Sequence, residues 1–230
     1  MKNIFILFAL VIAATSTFAQ AIEREIGNYS ELHVAGDIEI ILVPQASPKA
    51  QIEMKKGLAA NINTTVTGNV LRISVKPSTA SDWGNNDAAS ITLGYKNITC
   101  LDAKAGASIR NNETLKSNAL DIDVSAGSAM HLMVNGDMID IKAQAGASLI
   151  LEGTCRDMVI KSDSGSSVDA LKLVCDDVTA NAASGSSIKT HVTSTFKASS
   201  STGSSIIYSG NPSTTDLDTG TWSDGRISKL

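Results

Sequence analysis

The chain has 230 residues, a formal charge of −4 and 18 % charged residues, which argues against the basic face that a nucleic-acid partner requires. Only 4 % of residues are aromatic, so a core of large side chains is not expected, while 43 % apolar residues suffice for a thin core of Ile, Leu, Val and Ala. These bounds allow one or two domains and leave carbohydrate, protein and lipopolysaccharide open as partners.

The first segment reads as an address. Met1-Lys2-Asn3 is a short basic start, Ile4 to Ala14 is an apolar run, and Thr17-Phe18-Ala19 offers a small-x-small cleavage site before Gln20. This is the pattern of a secretory signal peptide over residues 1–19. The apolar run is well short of the ~20 residues a spanning helix needs, and no Cys stands at the cleavage site to carry a lipid. No membrane insertion of the mature chain is expected.

Residues 20–76 are expected to form an N-terminal β section that caps the remainder of the chain. Ile38 to Val43 reads as a strand closed by Pro44, Gln51 to Met54 as another, and Asn61–Thr67 with Val70–Val75 as a hairpin turning at Gly68-Asn69. Pro77 to Ala89 is loop-like, with Trp83 near its tip, and Ser90-Ile91-Thr92-Leu93 begins the second section, residues 77–230.

That section is an internal repeat. Gly106, Gly127, Gly146, Gly165, Gly185 and Gly203 each sit in a small-Gly-small-small motif, at steps of 21, 19, 19, 20 and 18 residues. Three positions after each glycine stand Ile109, Met130, Leu149, Val168, Ile188 and Ile206; seven before stand Thr99, Leu120, Ile139, Met158, Val178 and Phe196; five before stand Leu101, Ile122, Ile141, Ile160, Ala180 and Ala198. Polar residues fill the gaps, and alternation of period two means strands with one buried face. Each unit therefore holds a strand before its glycine and a shorter one after it. A unit this short buries its apolar face only by stacking on its neighbours, which predicts an all-β parallel β-helix (β-solenoid) with ~20-residue coils and a structural glycine at each corner. Asn211-Pro212 breaks the ladder, and Gly220 with Trp222 fits a degenerate last corner.

Several stretches resemble a known family. Arg24 to Tyr29, then Leu32-His33-Val34-Ala35-Gly36, is similar to the opening of the family described as "putative auto-transporter adhesin, head GIN domain", a domain of unknown function frequent in exported proteins of Bacteroidetes. Ile91-Thr92-Leu93 with Ile98 and the Gly106 corner resembles its central signature, and Tyr208 to Pro212 its closing one; at Gly94-Tyr95 the chain departs from the family's usual Pro. The resemblance spans residues 24–226, implies a solenoid-like envelope protein, and brings no catalytic residues.

Nothing in the residues announces a reaction. His33, His131 and His191 are far apart, and no His pair has metal-ligand spacing, so no catalytic, cofactor-binding or metal residue is assigned and no cofactor is expected. Asp102 and Asp123 share a column that Lys142 and Lys161 continue, which reads as a solvated alternating face rather than paired acids. No serine stands in Gly-x-Ser-x-Gly, and the Gly-Ser-Ser corners lack the Lys and helix of a phosphate loop. Cys155 and Cys175 each lie ten residues before a corner glycine, on adjacent coils, either bridged or as a reduced ladder; Cys100 is out of that register and is expected buried alone. The leading expectation is a non-enzymatic, adhesin-like binding module exported to the periplasm, the outer-membrane surface or the medium. Its partner would be a glycan or an envelope or host surface protein. Trp83 and Trp222 are either sugar-stacking groups or end covers. A polysaccharide-active β-helix enzyme is the alternative, and a purely structural envelope protein the third reading.

Overall fold

The computed structural model describes residues 21–76, 87–219 and 224–230. The targeting segment, Trp83, and the corner at Gly220 with Trp222 lie outside the described residues.

The chain runs through β1 (Ile22–Glu25), β2 (Glu31–Ala35), β3 (Ile38–Pro44), β4 (Lys49–Lys56), β5 (Ile62–Thr67), β6 (Val70–Val75), β7 (Ala88–Tyr95), β8 (Cys100–Lys104) and β9 (Ser108–Asn111). It continues with β10 (Leu115–Val124), β11 (Ala129–Ala143), β12 (Ser148–Ser162), β13 (Ser167–Ala182), β14 (Ser187–Ser200), β15 (Ser205–Ser209), β16 (Thr214–Asp218) and β17 (Arg226–Lys229). From β8 onward every pairing is parallel and joins each coil to the next, so the protein is a β-solenoid with an added N-terminal strand section.

A coil is two-sided. In β11, Met130, Leu132 and Val134 face inward, the exposed bend at Asn135 to Met138 turns the chain, and Ile139, Ile141 and Ala143 face inward on the opposite sheet. The strand after the corner is therefore as long as the strand before it, not shorter. Three apolar rows on each side fill the flattened interior. Ile109, Met130, Leu149, Val168, Ile188 and Ile206 stack rung on rung and are all buried. The row seven before the glycine is buried from Leu120 to Phe196, with the Phe196 ring tilted on Tyr208 at 4.7 Å, but Thr99 is exposed and Ile98 is buried beside it.

The corners are tight turns with two left-handed residues. Gly146 has φ 72° and Ala145 before it φ 53°, with the Ala147 amide donating to the Gln144 carbonyl at 3.3 Å. Positive φ at both central residues is the type I′ pattern. A Cβ on Gly146 would meet nothing within 4 Å, so the backbone torsion and not space selects glycine there. The amides of Gly106, Gly127, Gly146, Gly165 and Gly185 also donate to the next coil, as Gly146 does to the Ser164 carbonyl at 3.1 Å. The residue after each glycine is buried: Ala107, Ser128, Ala147, Ser166, Ser186 and Ser204.

The N-terminal section is not stacked in chain order. β2 lies between β6 and β8, and β3 between β7 and β9, all parallel, so the β2–β3 coil is inserted under the first repeat coil. β7, which contains Ser90–Leu93, is thus one rung further out, beyond β3. Antiparallel strands close this end: β4 on β7, β1 on β4, and the β5–β6 hairpin at Gly68-Asn69. Arg24 ties the two sheets together by donating to the Ala59 and Ile62 carbonyls at 2.8 and 2.7 Å. These pairings cover the outer edges of β6 and β7 and leave β5 and β1 outermost.

Candidate binding faces

Alternation sends every second residue outward, and stacking aligns those residues into columns. On the sheet containing β2 and β8, one column runs His33, Asp102, Asp123, Lys142, Lys161, Asn181 and Ser199. Its neighbour runs Glu31, Cys100, Asp121, Asp140, Val159, Thr179 and Lys197. One solenoid face is therefore acidic at the inserted coil and basic to neutral further along.

The acidic end is a depression of about 220 Å³ lined by His33, Cys100, Asp102, Asp121, Asp123 and Asp140, with Lys142 at its far side. Asp102 is 8 % exposed, so it is not a solvated residue of an alternating face. Its Oδ2 accepts from Lys104 Nζ at 2.8 Å and lies 3.6 Å from His33 Nδ1, while its Oδ1 has no hydrogen-bond partner. Cys100 is neither fully buried nor alone: it is half-buried, and its Sγ lies within 4.8 Å of ligand atoms of both Glu31 and His33. The cause is the insertion of β2 beside β8, which brings Glu31 opposite Cys100. Burial pushes the Cys100 thiol up to about 11, and Glu31, Asp121, Asp102 and Asp123 add to the shift by disfavouring a thiolate among carboxylates.

The other histidines stay apart from this cluster. His131 sits on β11 with Nε2 3.3 Å from Glu152 Oε1, which also holds Lys172 at 3.1 Å. The Lys172 ammonium, and then His131, hold the Glu152 carboxyl below its usual range. His191 is on β14, paired with Ser209 of β15.

Two further grooves lie on the polar surface. One of about 360 Å³ continues the same face past Lys142, Lys161 and Asn181 towards Ser199. The other, about 590 Å³, follows the bend edge of three successive rungs and is lined by Asn97, Thr99, Ser117, Asn118, Asn135 and Asp137 among others. Ser117 there donates to the Ile98 or Ala119 carbonyl, which fixes the bend. On the rungs beyond the bend-edge groove, with Cys155 in register with Gly136 of its lining, Cys155 and Cys175 face each other across β12 and β13 with Cα atoms 4.6 Å apart and their sulfurs joined. Among the described residues, no helix is long and apolar enough to cross a membrane.

Known structures share this architecture. A crystal structure of a "putative adhesin" from Bacteroides fragilis superposes with TM-score 0.84 at 18 % identity, covering 91 % of this chain and 96 % of that one. A "putative adhesin" from Parabacteroides distasonis gives 0.71 at 16 % identity, covering 91 % and 96 %. A "putative lipid binding protein" from the same species gives 0.58 at 17 %, covering 92 % and 97 %. At such identities the likeness is one of fold. No curated protein matches the sequence. The family model described as "putative auto-transporter adhesin, head GIN domain" matches residues 28–212, most of the chain including the inserted coil and the ladder, and the protein belongs to that family.

Proposed function

We propose that this protein is an exported, non-enzymatic binding module of the cell envelope, with the polar bend-edge groove as its contact surface and a glycan as its ligand. The observation that carries this reading is the lining of that groove. Asn97, Thr99, Ser117, Asn118 and Asn135 present amides and hydroxyls over three rungs of a rigid ladder, with Asp137 as an acceptor. Such groups match the alternating donors and acceptors of a hydroxyl-rich chain, and a stacked backbone holds them preorganised. Membership of an adhesin-described family supports a binding role, and the signal-peptide pattern of residues 1–19 supports export.

The test is a glycan array with the purified protein, followed by calorimetry on any ligand retained. The double variant Asn118→Ala/Asn135→Ala, both on exposed positions of the bend, is expected to weaken binding at least tenfold. An array without retained glycans, or equal binding by the variant, would overturn the glycan reading. Protease treatment of intact cells tests the exposure an adhesin needs: cleavage while a periplasmic control survives is expected.

One observation favours the enzymatic alternative. Asp102, Asp121, Asp123 and Asp140 line a single depression, and glycoside hydrolysis uses paired carboxylates. Release of reducing ends from polysaccharides by the purified protein, abolished in Asp121→Asn or Asp123→Asn, would establish that reading.

A further inference from the structure

We propose that Glu31, His33 and Cys100 form a Zn²⁺ site at the inserted coil. The three residues come from two adjacent parallel strands. Glu31 and His33 are two apart on β2 and so face the same way, and Cys100 stands directly opposite Glu31 on β8. One ligand atom from each lies within 4.8 Å of the other two. Donors around a tetrahedral zinc are separated by about 3.3–3.7 Å, given Zn–S near 2.3 Å and Zn–N or Zn–O near 2.0–2.2 Å. His33 Nε2 and Glu31 Oε2 are already 3.8 Å apart, so side-chain adjustments suffice to close the set.

The surroundings fit a cation independently of these three donors. Asp102 is nine-tenths buried, lines the same depression, and has an Oδ1 without a hydrogen-bond partner. Asp123 and Asp140, also in the lining, each have such an oxygen. A buried unpaired acceptor is costly unless something positive completes it. The carboxylates of Glu31, Asp102, Asp121, Asp123 and Asp140 outnumber the cations around them, Lys104, Lys142 and Arg72, the last in register with His33. Asp102 has a second role in this arrangement. Its Oδ2 lies 3.6 Å from His33 Nδ1, longer than a hydrogen bond, and a small movement of the ring would let Nδ1 donate to it and turn Nε2 toward a metal. Sulfur and imidazole donors select zinc over calcium or magnesium, which prefer oxygen alone. Water or a donor from outside would complete the fourth position.

Titrating the metal-free purified protein with Co²⁺ should produce a thiolate-to-cobalt charge-transfer band that Zn²⁺ displaces at one equivalent. Cys100→Ser should abolish the band, and His33→Gln should lower Zn²⁺ affinity at least tenfold. His131→Gln, which alters the separate pair with Glu152, should change neither. A measurement on the unaltered protein guards against misfolded variants: Zn²⁺ should slow maleimide labelling of Cys100, followed at its own peptide, at least tenfold. A cobalt spectrum without a thiolate band, or a Cys100 labelling rate unaffected by Zn²⁺, would overturn the proposal.

Discussion

Two substitutions in one column of the solenoid should move stability in opposite directions. The residue after each corner glycine is buried, and it is Ala in two coils and Ser in four. Ser186 Oγ donates to the Ser162 carbonyl at 2.8 Å and accepts from the Ala183 amide at 3.1 Å. In Ser186→Ala those backbone groups keep each other as partners, because the Ala183 amide also donates to the Ser162 carbonyl at 3.0 Å. The loss is then limited to the net worth of two hydrogen bonds, ~0.5–1.5 kcal/mol each, so about 1–3 kcal/mol in total. Ala107 and Ala147 at the same position indicate that a methyl group fits. Ser128, by contrast, is 1 % exposed and its Oγ has no hydrogen-bond partner. A buried unsatisfied hydroxyl costs roughly 1–3 kcal/mol, so Ser128→Ala should stabilise by about 1 kcal/mol. Urea unfolding of the two variants beside the parent reads both as shifts in midpoint at unchanged slope; in melting temperature each kcal/mol is about 2–4 °C for a chain of this size. Shifts of the same sign for both variants would refute the view that hydrogen bonding, rather than residue type, sets the energetics of this column.

Three further outcomes are expected. Gly146→Ala should cost about 1–2 kcal/mol through its left-handed torsion alone. Gly153→Ala should cost more, since φ is 123° and the new Cβ would lie 2.0 Å from the Val134 carbonyl oxygen; urea midpoints in the reverse order would refute this. The Lys55 ammonium, then the Arg110 guanidinium, hold the Glu39 carboxyl below its ordinary 4.5. Its contribution is present above that value and lost as pH falls through the lowered one. Glu39→Gln should therefore flatten the acid limb of stability, read from urea midpoints between roughly pH 7 and pH 3, and an unchanged limb would count against the ion pairs. Alkylation without reductant should leave Cys155 and Cys175 unlabelled while labelling Cys100 in the metal-free protein. Two labelled thiols at the paired positions would indicate a reduced ladder, and reduction of the bridge should lower stability by about 3 kcal/mol for a loop of this length.

The sequence by itself determined the ladder, because its information is local and periodic. Equivalent residues of successive coils recur every 18–21 positions, and only stacking can bury an apolar row in so short a unit, so the row from Ile109 to Ile206 aligns from the repeat alone. The corner glycines and the pairing of Cys155 opposite Cys175 come from the same register. The left-handed torsion of the residue before each glycine was not legible, since Ala145 and Ser164 carry no signature of it. Only the tertiary structure decided where the N-terminal section goes. Two strands of similar apolar pattern can pair with many edges, and nothing along the chain singles out β8 as the partner of β2. That long-range pairing brings Glu31 and His33 to Cys100 from 69 and 67 residues away. It turns an isolated histidine, a stray cysteine and scattered aspartates into one acidic depression, a grouping that no spacing along the chain encodes.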